Sequence, residues 1–168
     1  DLFPDQGVYF LEVCHARKYA DAGIRGPFVQ HNFSKSVRGT LRGLHYQLKN
    51  AQAKLITVVE GKVFDVAVDI RAGSPTFGKW FGTELSVENK RQLYIPAGFA
   101  HGFCVLSDTA GLFYNCTDFY SPQDERGIIW NDPTIGIAWP VSHPVLSTKD
   151  QAYKTLADMA GELPLYGE

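Results

Sequence analysis

The stretch KLITVVEGKVFDVAVDI, residues 54–70, decides the fold class of this chain. In its second half, apolar residues at every other position alternate with positions that include the carboxylates Asp65 and Asp69. A period of two is the spacing of a half-buried β-strand with one apolar face. The pair Glu60-Gly61 separates two runs rich in β-branched residues, so we predict two strands joined by a hairpin turn or a bend.

Similar short runs occupy most of the remaining sequence and are broken by Gly, Pro, Asn and Asp. Strand-like segments lie at residues 7–13, 28–36, 40–47, 91–107 and 111–120. A turn at Pro96-Ala97-Gly98 divides the fourth segment into two strands. Many short strands with regular turn signals are typical of a sandwich or a barrel. Because no linker or repeat divides the sequence, we predict one all-β domain over residues 1–168, arranged as a jelly roll.

Helical patterns are short and lie outside the strand-like segments. Residues 16–23 predict one or two helical turns. Near the C-terminus, Ser147 and Asp150 fit the S-x-x-D capping box that marks the start of a helix. The apolar residues after it share one helical stripe: Ala152, Leu156 and Met159. We therefore expect short C-terminal helices on the jelly roll.

Composition excludes several classes of protein. The chain has 168 residues, 45% of them apolar and 20% charged, which argues against disorder. A net charge of −2 gives no sign of a nucleic-acid-binding protein. The odd number of cysteines (Cys14, Cys104 and Cys116), without a C-x-x-C pair, predicts buried free thiols in a reducing compartment. No signal peptide is visible in this sequence and no apolar run approaches roughly 20 residues, so we expect a cytoplasmic protein without a membrane span.

Ionisable residues fall inside the predicted strands rather than in the loops. They are His45, Lys54, Asp65, His101 and Tyr114. A small barrel fills its interior with side chains, so groups from different strands could converge in one cavity. Each residue taken alone has an ordinary structural explanation, and Asp150 has one as the capping residue of its helix.

Taken together, these residue types support proton transfer next to a ketone. A histidine paired with a carboxylate can remove a proton near neutral pH. A lysine ammonium can stabilise the enolate oxygen, and one such donor contributes on the order of 3 kcal/mol. A tyrosine hydroxyl can return a proton to the opposite face. Metal binding is disfavoured because His45-Tyr46-Gln47 lacks the second histidine of an H-x-H pair, and no other ligand spacing is present.

Six stretches, in the same order along the chain, resemble the dTDP-4-dehydrorhamnose 3,5-epimerases, cupin-type enzymes of dTDP-L-rhamnose synthesis. The stretches are FVQHNFSKS (28–36), LRGLHYQ (41–47), AQAKLITVVEGKVFDVAVDIRAGSPTFGKW (51–80), ENKRQLYIPAGFAHGF (88–103), WNDPTIGIAWP (130–140) and LSTKD (146–150). The resemblance implies a jelly-roll homodimer in which a strand of one subunit helps to complete the site of the other. It implies no metal and no organic cofactor. The implied substrate is dTDP-4-dehydro-6-deoxy-α-D-glucose, inverted at C3 and C5.

The resemblance also implies roles for individual residues. His45 would be the base, Asp150 its partner, Lys54 the group near the C4 oxygen and Tyr114 the acid. The implied nucleotide-sugar contacts are Gln30, Asn32, Arg42, His101, Glu125 and Lys149. Tyr120 would stack on the thymine ring, Glu12 would be donated across the dimer, and Asp65 would support the site from behind.

Two features of the sequence do not fit simply. By strict alternation Arg42 and His45 point to opposite faces, so either Gly43 hosts a bulge or Arg42 reaches the diphosphate around the rim. The family pattern D-x-R-G-x-F also reads PDQGVYF here, with Gly7 in place of the arginine when the alignment has no gap. One phosphate contact is therefore expected to be missing.

Three rival functions stay open. A single-site 3- or 5-epimerase would share the same residues, a silent sugar-nucleotide-binding barrel would share the fold, and a metal-dependent cupin oxygenase is a more distant alternative.

Overall fold

The structure, a computed structural model, describes residues 2–5, 8–24 and 26–167. Its strands are β1 (Leu2–Asp5), β2 (Val8–Leu11), β3 (Gln30–Val37), β4 (Leu41–Gln47), β5 (Lys54–Glu60), β6 (Lys62–Asp69), β7 (Trp80–Ser86), β8 (Gln92–Ile95), β9 (Phe99–Val105), β10 (Thr109–Cys116) and β11 (Glu125–Gly127). The helices are α1 (Ala16–Asp21), α2 (Thr148–Gln151) and a 3₁₀ turn at Ala157–Met159. The all-β prediction with short C-terminal helices is confirmed.

Two antiparallel sheets form the body of the molecule. One has the strand order β3-β10-β5-β8 and the other the order β11-β4-β9-β6-β7, while β1 and β2 pair separately. Consecutive strands β5 and β6 lie in different sheets, as do β8 and β9. Gly61 therefore forms a bend that carries the chain from one sheet to the other, and the hairpin alternative for residues 54–70 is wrong. A Cβ at Gly61 would lie 2.0 Å from the carbonyl oxygen of Thr109.

The period of two in β6 separates the two faces of the strand, but the expectation of a half-buried strand is wrong because both faces are buried. Val66 and Val68 pack with Leu156 and Met159 of the C-terminal tail in one apolar cluster. Val63 and Ala67, on alternate positions, belong to a second cluster with residues of both sheets, among them Ile56 and Phe103. Asp65 shares the positions of this second face and is fully buried. The strand thus packs against a different apolar cluster on each face, and the Asp65 carboxylate points toward the space between the sheets.

The C-terminal helix is shorter than its capping box and stripe predict. Helix α2 ends at Gln151 because Lys154 then forms a parallel bridge with Ile128. The backbone N–H of Leu156 donates to a carboxylate oxygen of Asp132 at 2.7 Å, which also holds the chain away from a helical path. Leu156 and Met159 are buried as predicted, but Ala152 is exposed.

Two further expectations concern the cysteines and a membrane span. All three cysteines are free thiols, and Cys104 and Cys116 are buried, but Cys14 is exposed. In the part of the chain described, every helix is too short or too polar to cross a membrane.

Candidate active site

A cavity of about 470 Å³ opens between the two sheets. It is lined by Gln30, Asn32, Ser34, Lys35, Ser36, Arg42, His45, Gln52, Lys54, His101, Phe103, Tyr114, Cys116 and Tyr120. Strands of both sheets supply these residues, which explains how groups far apart in sequence meet. Most of the residues implied by the resemblance lie here.

His45 and Asp150 form a close pair at this cavity. The imidazole Nε2 of His45 lies 2.6 Å from Oδ1 of Asp150, whose side chain is 1% exposed. Ser147 donates its hydroxyl to the other carboxylate oxygen of Asp150 at 2.6 Å, and accepts the backbone N–H of Asp150 at 3.1 Å. Asp150 therefore belongs to its helix cap and to the histidine pair at once. The contact with His45 and the contacts with the helix cap therefore coincide in one residue.

The carboxyl of Asp150 is kept ionised by its neighbours. Burial by itself would raise the pKa of Asp150, but hydrogen bonds from His45 and Ser147 outweigh it and lower the pKa below its ordinary value. An ionised carboxylate can only accept hydrogen bonds, so Nε2 of His45 carries the proton toward Asp150. Nδ1 is then the nitrogen of His45 that is free to take a proton.

An irregularity in β4 brings Arg42 and His45 to the same cavity. The pairing of β4 with β9 shifts register between these two residues. Gly43, which lies between them, has a φ of 121°, and a Cβ there would lie 2.6 Å from the Cα of Gly102. The bulge alternative therefore describes the strand. A guanidinium nitrogen of Arg42 lies 3.8 Å from Asp150, close to the histidine pair.

Lys54 contributes an ammonium group to the cavity. Its Nζ makes no hydrogen bond or ion pair with any residue that the structure describes. Burial lowers the pKa of Lys54, and the negative charges of Glu125 and Asp65 oppose that effect. A lysine held in this way can donate to an oxygen of a bound molecule.

Tyr114 stands on the sheet opposite His45, and its hydroxyl lies 2.8 Å from the hydroxyl of Ser34. Its ring meets His101 and Phe103, with centroid separations of 6.2 and 6.4 Å. Burial raises the pKa of Tyr114 well above its ordinary value. The phenol therefore keeps its proton in the free protein.

His101 is joined to Asp65 behind the cavity wall. Its Nε2 lies 3.0 and 3.2 Å from the two carboxylate oxygens of Asp65, and both side chains are buried. Asp65 thus contacts a residue that lines the cavity without lining the cavity itself.

The implied nucleotide contacts gather at the mouth of the cavity. The Tyr120 hydroxyl donates to Glu125 at 2.6 Å, and the ammonium of Lys149 donates to the same carboxylate oxygen. The Tyr120 backbone N–H donates to the side chain of Gln30 at 2.8 Å, and Gln30 in turn donates to Asn32 at 2.9 Å. These five residues form one connected polar rim.

Glu12 is the one implied site residue that lies elsewhere. It pairs with Lys18 at 2.7 Å and lines a separate cavity of about 260 Å³ beside α1. Gly7, where the family arginine is missing, lies outside the described residues.

Several cavity residues went unnoticed in the sequence. They are Ser34, Lys35, Ser36, Gln52, Phe103 and Cys116. Strand alternation could have found half of these six, because Ser34, Phe103 and Cys116 each follow a selected residue by two positions. Tyr153 was also missed. Its ring lies edge-on to the imidazole of His45 at 5.6 Å, and no sequence pattern marks it.

Metal ligation has no cluster to support it here. Within residues 2–5, 8–24 and 26–167, no group of three or more His, Cys, Asp or Glu side chains could hold a metal ion. His31 lies with Phe113 in another surface pocket and contacts Asn115 at 2.7 Å, apart from the cavity that His45 and His101 line.

Comparison with known proteins identifies the family to which this chain belongs. A family model described as dTDP-4-dehydrorhamnose 3,5-epimerase matches residues 1–158. The chain belongs to the dTDP-4-dehydrorhamnose 3,5-epimerase family. Members of this family are cupin-fold epimerases acting on carbohydrates, and the two antiparallel sheets match that fold.

Individual relatives agree with this assignment. The dTDP-4-dehydrorhamnose 3,5-epimerase of Shigella flexneri is 58% identical over 151 residues, covering 89% of this chain and 83% of that protein. The Neisseria gonorrhoeae protein of the same description is 55% identical over 93% of this chain, which spans only 48% of that relative's length. The solved dTDP-6-deoxy-D-glucose-3,5-epimerase of Legionella pneumophila, in complex with dTDP-4-keto-L-rhamnose, is 51% identical. Its TM-score is 0.96, over 100% of this chain and 91% of that one.

A more distant relative carries a different description. The dTDP-4-dehydrorhamnose 3-epimerase of Streptomyces niveus is 44% identical over 161 residues, covering 94% of this chain and 78% of that protein. The family therefore includes proteins described as 3-epimerases as well as 3,5-epimerases.

Proposed function

We propose that this chain converts dTDP-4-dehydro-6-deoxy-α-D-glucose to dTDP-4-dehydro-β-L-rhamnose by inverting C5 and C3 in turn. The observation that carries the proposal is the 2.6 Å contact between His45 and Asp150 at a cavity that also contains Lys54 and Tyr114. Base, enolate stabiliser and acid are thereby present in one space. The Legionella pneumophila relative, solved with dTDP-4-keto-L-rhamnose, supports the choice of sugar nucleotide.

His45 acts as the base in this proposal. A proton on C3 or C5 is acidic because the C4 ketone accepts the electron pair that is left behind. Nδ1 of His45 takes that proton, and Asp150 stabilises the imidazolium that forms. The reaction needs no redox step and no group transfer, so no organic cofactor is required.

Lys54 stabilises the enolate. Its ammonium has no protein partner among the described residues and is therefore available to donate to the C4 oxygen as negative charge develops. A preorganised donor of this kind contributes about 3 kcal/mol to lowering the barrier.

Tyr114 returns a proton from the other side. It belongs to the β3-β10-β5-β8 sheet, whereas His45 belongs to the sheet that faces it across the cavity. A proton taken by one residue and returned by the other arrives on the opposite face of the carbon, which is inversion. We assign Tyr114 to C5 at least.

The rim holds the nucleotide in this proposal. The guanidinium of Arg42 suits a diphosphate, and the exposed ring of Tyr120 suits stacking on thymine. Glu125 and Lys149 complete the contacts with Gln30 and Asn32. His101, supported by Asp65, contacts the sugar end.

A homodimer completes the proposal. Phe33 and Phe113 stand side by side on the face of their sheet that points away from the cavity, with ring centroids 5.2 Å apart, and both are exposed. Val59 is exposed on the same surface as Phe113. An apolar patch of this kind favours association with another copy. In that dimer Glu12, distant from its own cavity, would reach the site of its partner.

Proton NMR of the substrate with the enzyme in deuterated water tests the function. Loss of both the C3 and the C5 proton signals, with the product trapped by a rhamnose-forming reductase, is the expected result. Loss of one signal alone would make the chain a single-site epimerase, the description that the Streptomyces niveus relative bears. Binding of the substrate with no exchange at all would overturn catalysis and leave a sugar-nucleotide-binding barrel.

A further inference from the structure

The hydroxyl of Ser34 is bonded to the hydroxyl of Tyr114 at 2.8 Å. Each oxygen has the other as its sole hydrogen-bond partner among the residues described. The Ser34 hydroxyl is therefore not bonded to its own or neighbouring backbone, which is a common arrangement for serine. Its one contact is with the residue that the proposed reaction uses as its acid.

The geometry of β3 and β10 produces this bond. Tyr114 pairs directly with Asn32, and Ser34 pairs with Leu112. Ser34 is thus the diagonal neighbour of Tyr114 on the cavity face, a separation that a long aromatic side chain can span. Ser36 is two residues further along the same face, lines the same cavity and makes no such bond.

The ring and the oxygen of Tyr114 are held by different strands. His101 and Phe103, both on β9, contact the ring at 6.2 and 6.4 Å. Neither of them is bonded to the hydroxyl. The direction of the phenolic O–H is accordingly left to Ser34, on β3.

Tyr114 must form a negatively charged phenolate in a buried site when it acts as an acid. Burial opposes ionisation of Tyr114 and raises its pKa, whereas the bond with Ser34 acts in the opposite direction. When the enolate is protonated at C5, its electron pair forms the new C–H bond as the Tyr114 O–H bond breaks. The enolate oxygen returns to a ketone, and the negative charge passes to the phenolate.

The geometry points to Ser34 as a positioning residue for Tyr114. Ser34 donates its hydroxyl hydrogen to the phenolic oxygen, which leaves the Tyr114 proton directed at the substrate and then stabilises the phenolate. Ser34 keeps its own proton throughout. After inversion at C5, solvent returns a proton to Tyr114 and takes one from His45. This inference rests on the proposed function, because it assigns Ser34 to the acid of that reaction.

The test compares four variants in the exchange assay described above. Ser34→Ala removes the hydroxyl, Ser34→Thr keeps one, Ser36→Ala is the matched control on the same face, and Tyr114→Phe removes the acid. The rates of exchange at C3 and C5, the rate of inversion, kcat and KM are measured for each.

Ser34→Ala is expected to lower kcat for C5 inversion by about 10- to 100-fold, the range for a lost hydrogen bond to a charged group. Exchange at C3 and the KM should stay within about twofold of wild type, since Ser34 acts through Tyr114 and not on binding. Ser34→Thr should recover most of the lost rate. Ser36→Ala, which lines the cavity without a bond to Tyr114, should leave the ratio of C5 inversion to C3 exchange at its wild-type value.

Three outcomes would overturn the inference. They are C5 inversion at the wild-type rate in Ser34→Ala, an equal loss of C5 inversion relative to C3 exchange in Ser36→Ala, and a loss spread over C3, C5 and KM alike in Ser34→Ala. The proposed function is judged separately. Full C5 inversion by Tyr114→Phe would remove Tyr114 from the mechanism and Ser34 with it, whereas loss of C5 inversion in Tyr114→Phe with none in Ser34→Ala would overturn Ser34 alone.

Discussion

Asp150 contacts His45 through one carboxylate oxygen, at 2.6 Å, and Ser147 through the other, also at 2.6 Å. The serine is the N-cap of α2, so the start of a four-residue helix fixes the carboxylate that orients the imidazole. The backbone N–H of Gly43 lies 3.4 Å from the oxygen that contacts His45. The histidine pair is thereby attached to the irregular part of β4 and to the C-terminal tail at once.

Asp150→Asn is expected to lower kcat by about 10³- to 10⁴-fold with little change in KM. The amide is nearly isosteric with the carboxylate but carries no charge, so it cannot stabilise the imidazolium and can favour the wrong tautomer of His45. Steady-state kinetics of the coupled epimerase and reductase reaction measures the effect.

Asp132→Asn is the control for that variant. Asp132 is also buried, but it accepts hydrogen bonds from the backbone of Thr134, Ile135 and Leu156 away from the cavity. Asp132→Asn should lower the thermal midpoint of unfolding while leaving kcat unchanged. Equal losses of kcat in the two variants would mean that Asp150 supports only the fold.

Local patterns predicted the strands, but not the sheets to which they belong. The alternation in residues 64–70 placed Asp65 opposite the apolar face of β6, and the structure agrees. Gly61 looks the same in a hairpin and in a bend between sheets. Pairing of β5 with β8 and β10 decides between them, and these contacts are long-range. The early end of α2 has the same kind of cause, because Lys154 bridges to Ile128.

The site divides in a similar way. The ionisable residues inside strands predicted a cavity, and alternation from Asn32 and His101 would have added Ser34 and Phe103. The contact of His45 with Asp150 spans 105 residues and could not be read from spacing; it came from the resemblance to a family. The bulge beside Gly43 was one of two open alternatives because strict alternation cannot show a register shift.

Phe113→Glu is expected to convert a homodimer into single chains. It places a charge at the centre of the exposed surface that Phe113 shares with Phe33, where the partner would pack. Light scattering after gel filtration should give twice the 18.7 kDa chain mass for wild type and the single mass for the variant.

Phe81→Glu is the matched control for the dimer, because Phe81 is equally apolar and exposed but lies on β7 in the other sheet. The Phe81→Glu variant should stay dimeric. A wild-type protein that runs as a single chain at micromolar concentration would rule out the dimer and, with it, a role for Glu12 in a neighbouring site.

Tyr153→Phe is expected to raise the free energy of unfolding by about 1 kcal/mol, because an unsatisfied buried hydroxyl is unfavourable. The Tyr153 oxygen is buried and has no hydrogen-bond partner among the described residues. The ring contact with His45 is retained in the variant, so kcat should not change.

Tyr46→Phe also removes a tyrosine hydroxyl, but it is expected to change the free energy of unfolding in the opposite direction. The Tyr46 hydroxyl donates to the carbonyl oxygen of Glu162 at 2.9 Å, and losing that donor should lower the free energy of unfolding by about 1 kcal/mol. Urea titrations of both variants provide the comparison. Destabilisation by Tyr153→Phe to the same extent would show that its hydroxyl is satisfied in solution.

Asp69→Asn should make the protein less stable at neutral pH and less sensitive to acid. The Asp69 carboxylate accepts the Arg71 guanidinium at 2.7 and 2.9 Å and the hydroxyls of Ser74 and Thr76, each at 2.6 Å. Burial alone would raise the pKa of Asp69, but these donors outweigh it and hold the pKa well below its ordinary value. The resulting stabilisation is fully present above the unfolded pKa of about 3.9 and is lost as the pH falls toward the folded pKa.

The free energy of unfolding of Asp69→Asn should therefore lie about 3 kcal/mol below wild type at pH 7, and the gap should narrow below about pH 4. Asp108→Asn is the control, since Asp108 pairs with Arg38 while 94% exposed, and such a pair contributes less than about 1 kcal/mol. Urea titrations between pH 3 and pH 7 measure both. A gap for Asp69→Asn that stays constant over this range would mean that its ionisation does not differ between the folded and unfolded chain, and that the loss comes from packing alone.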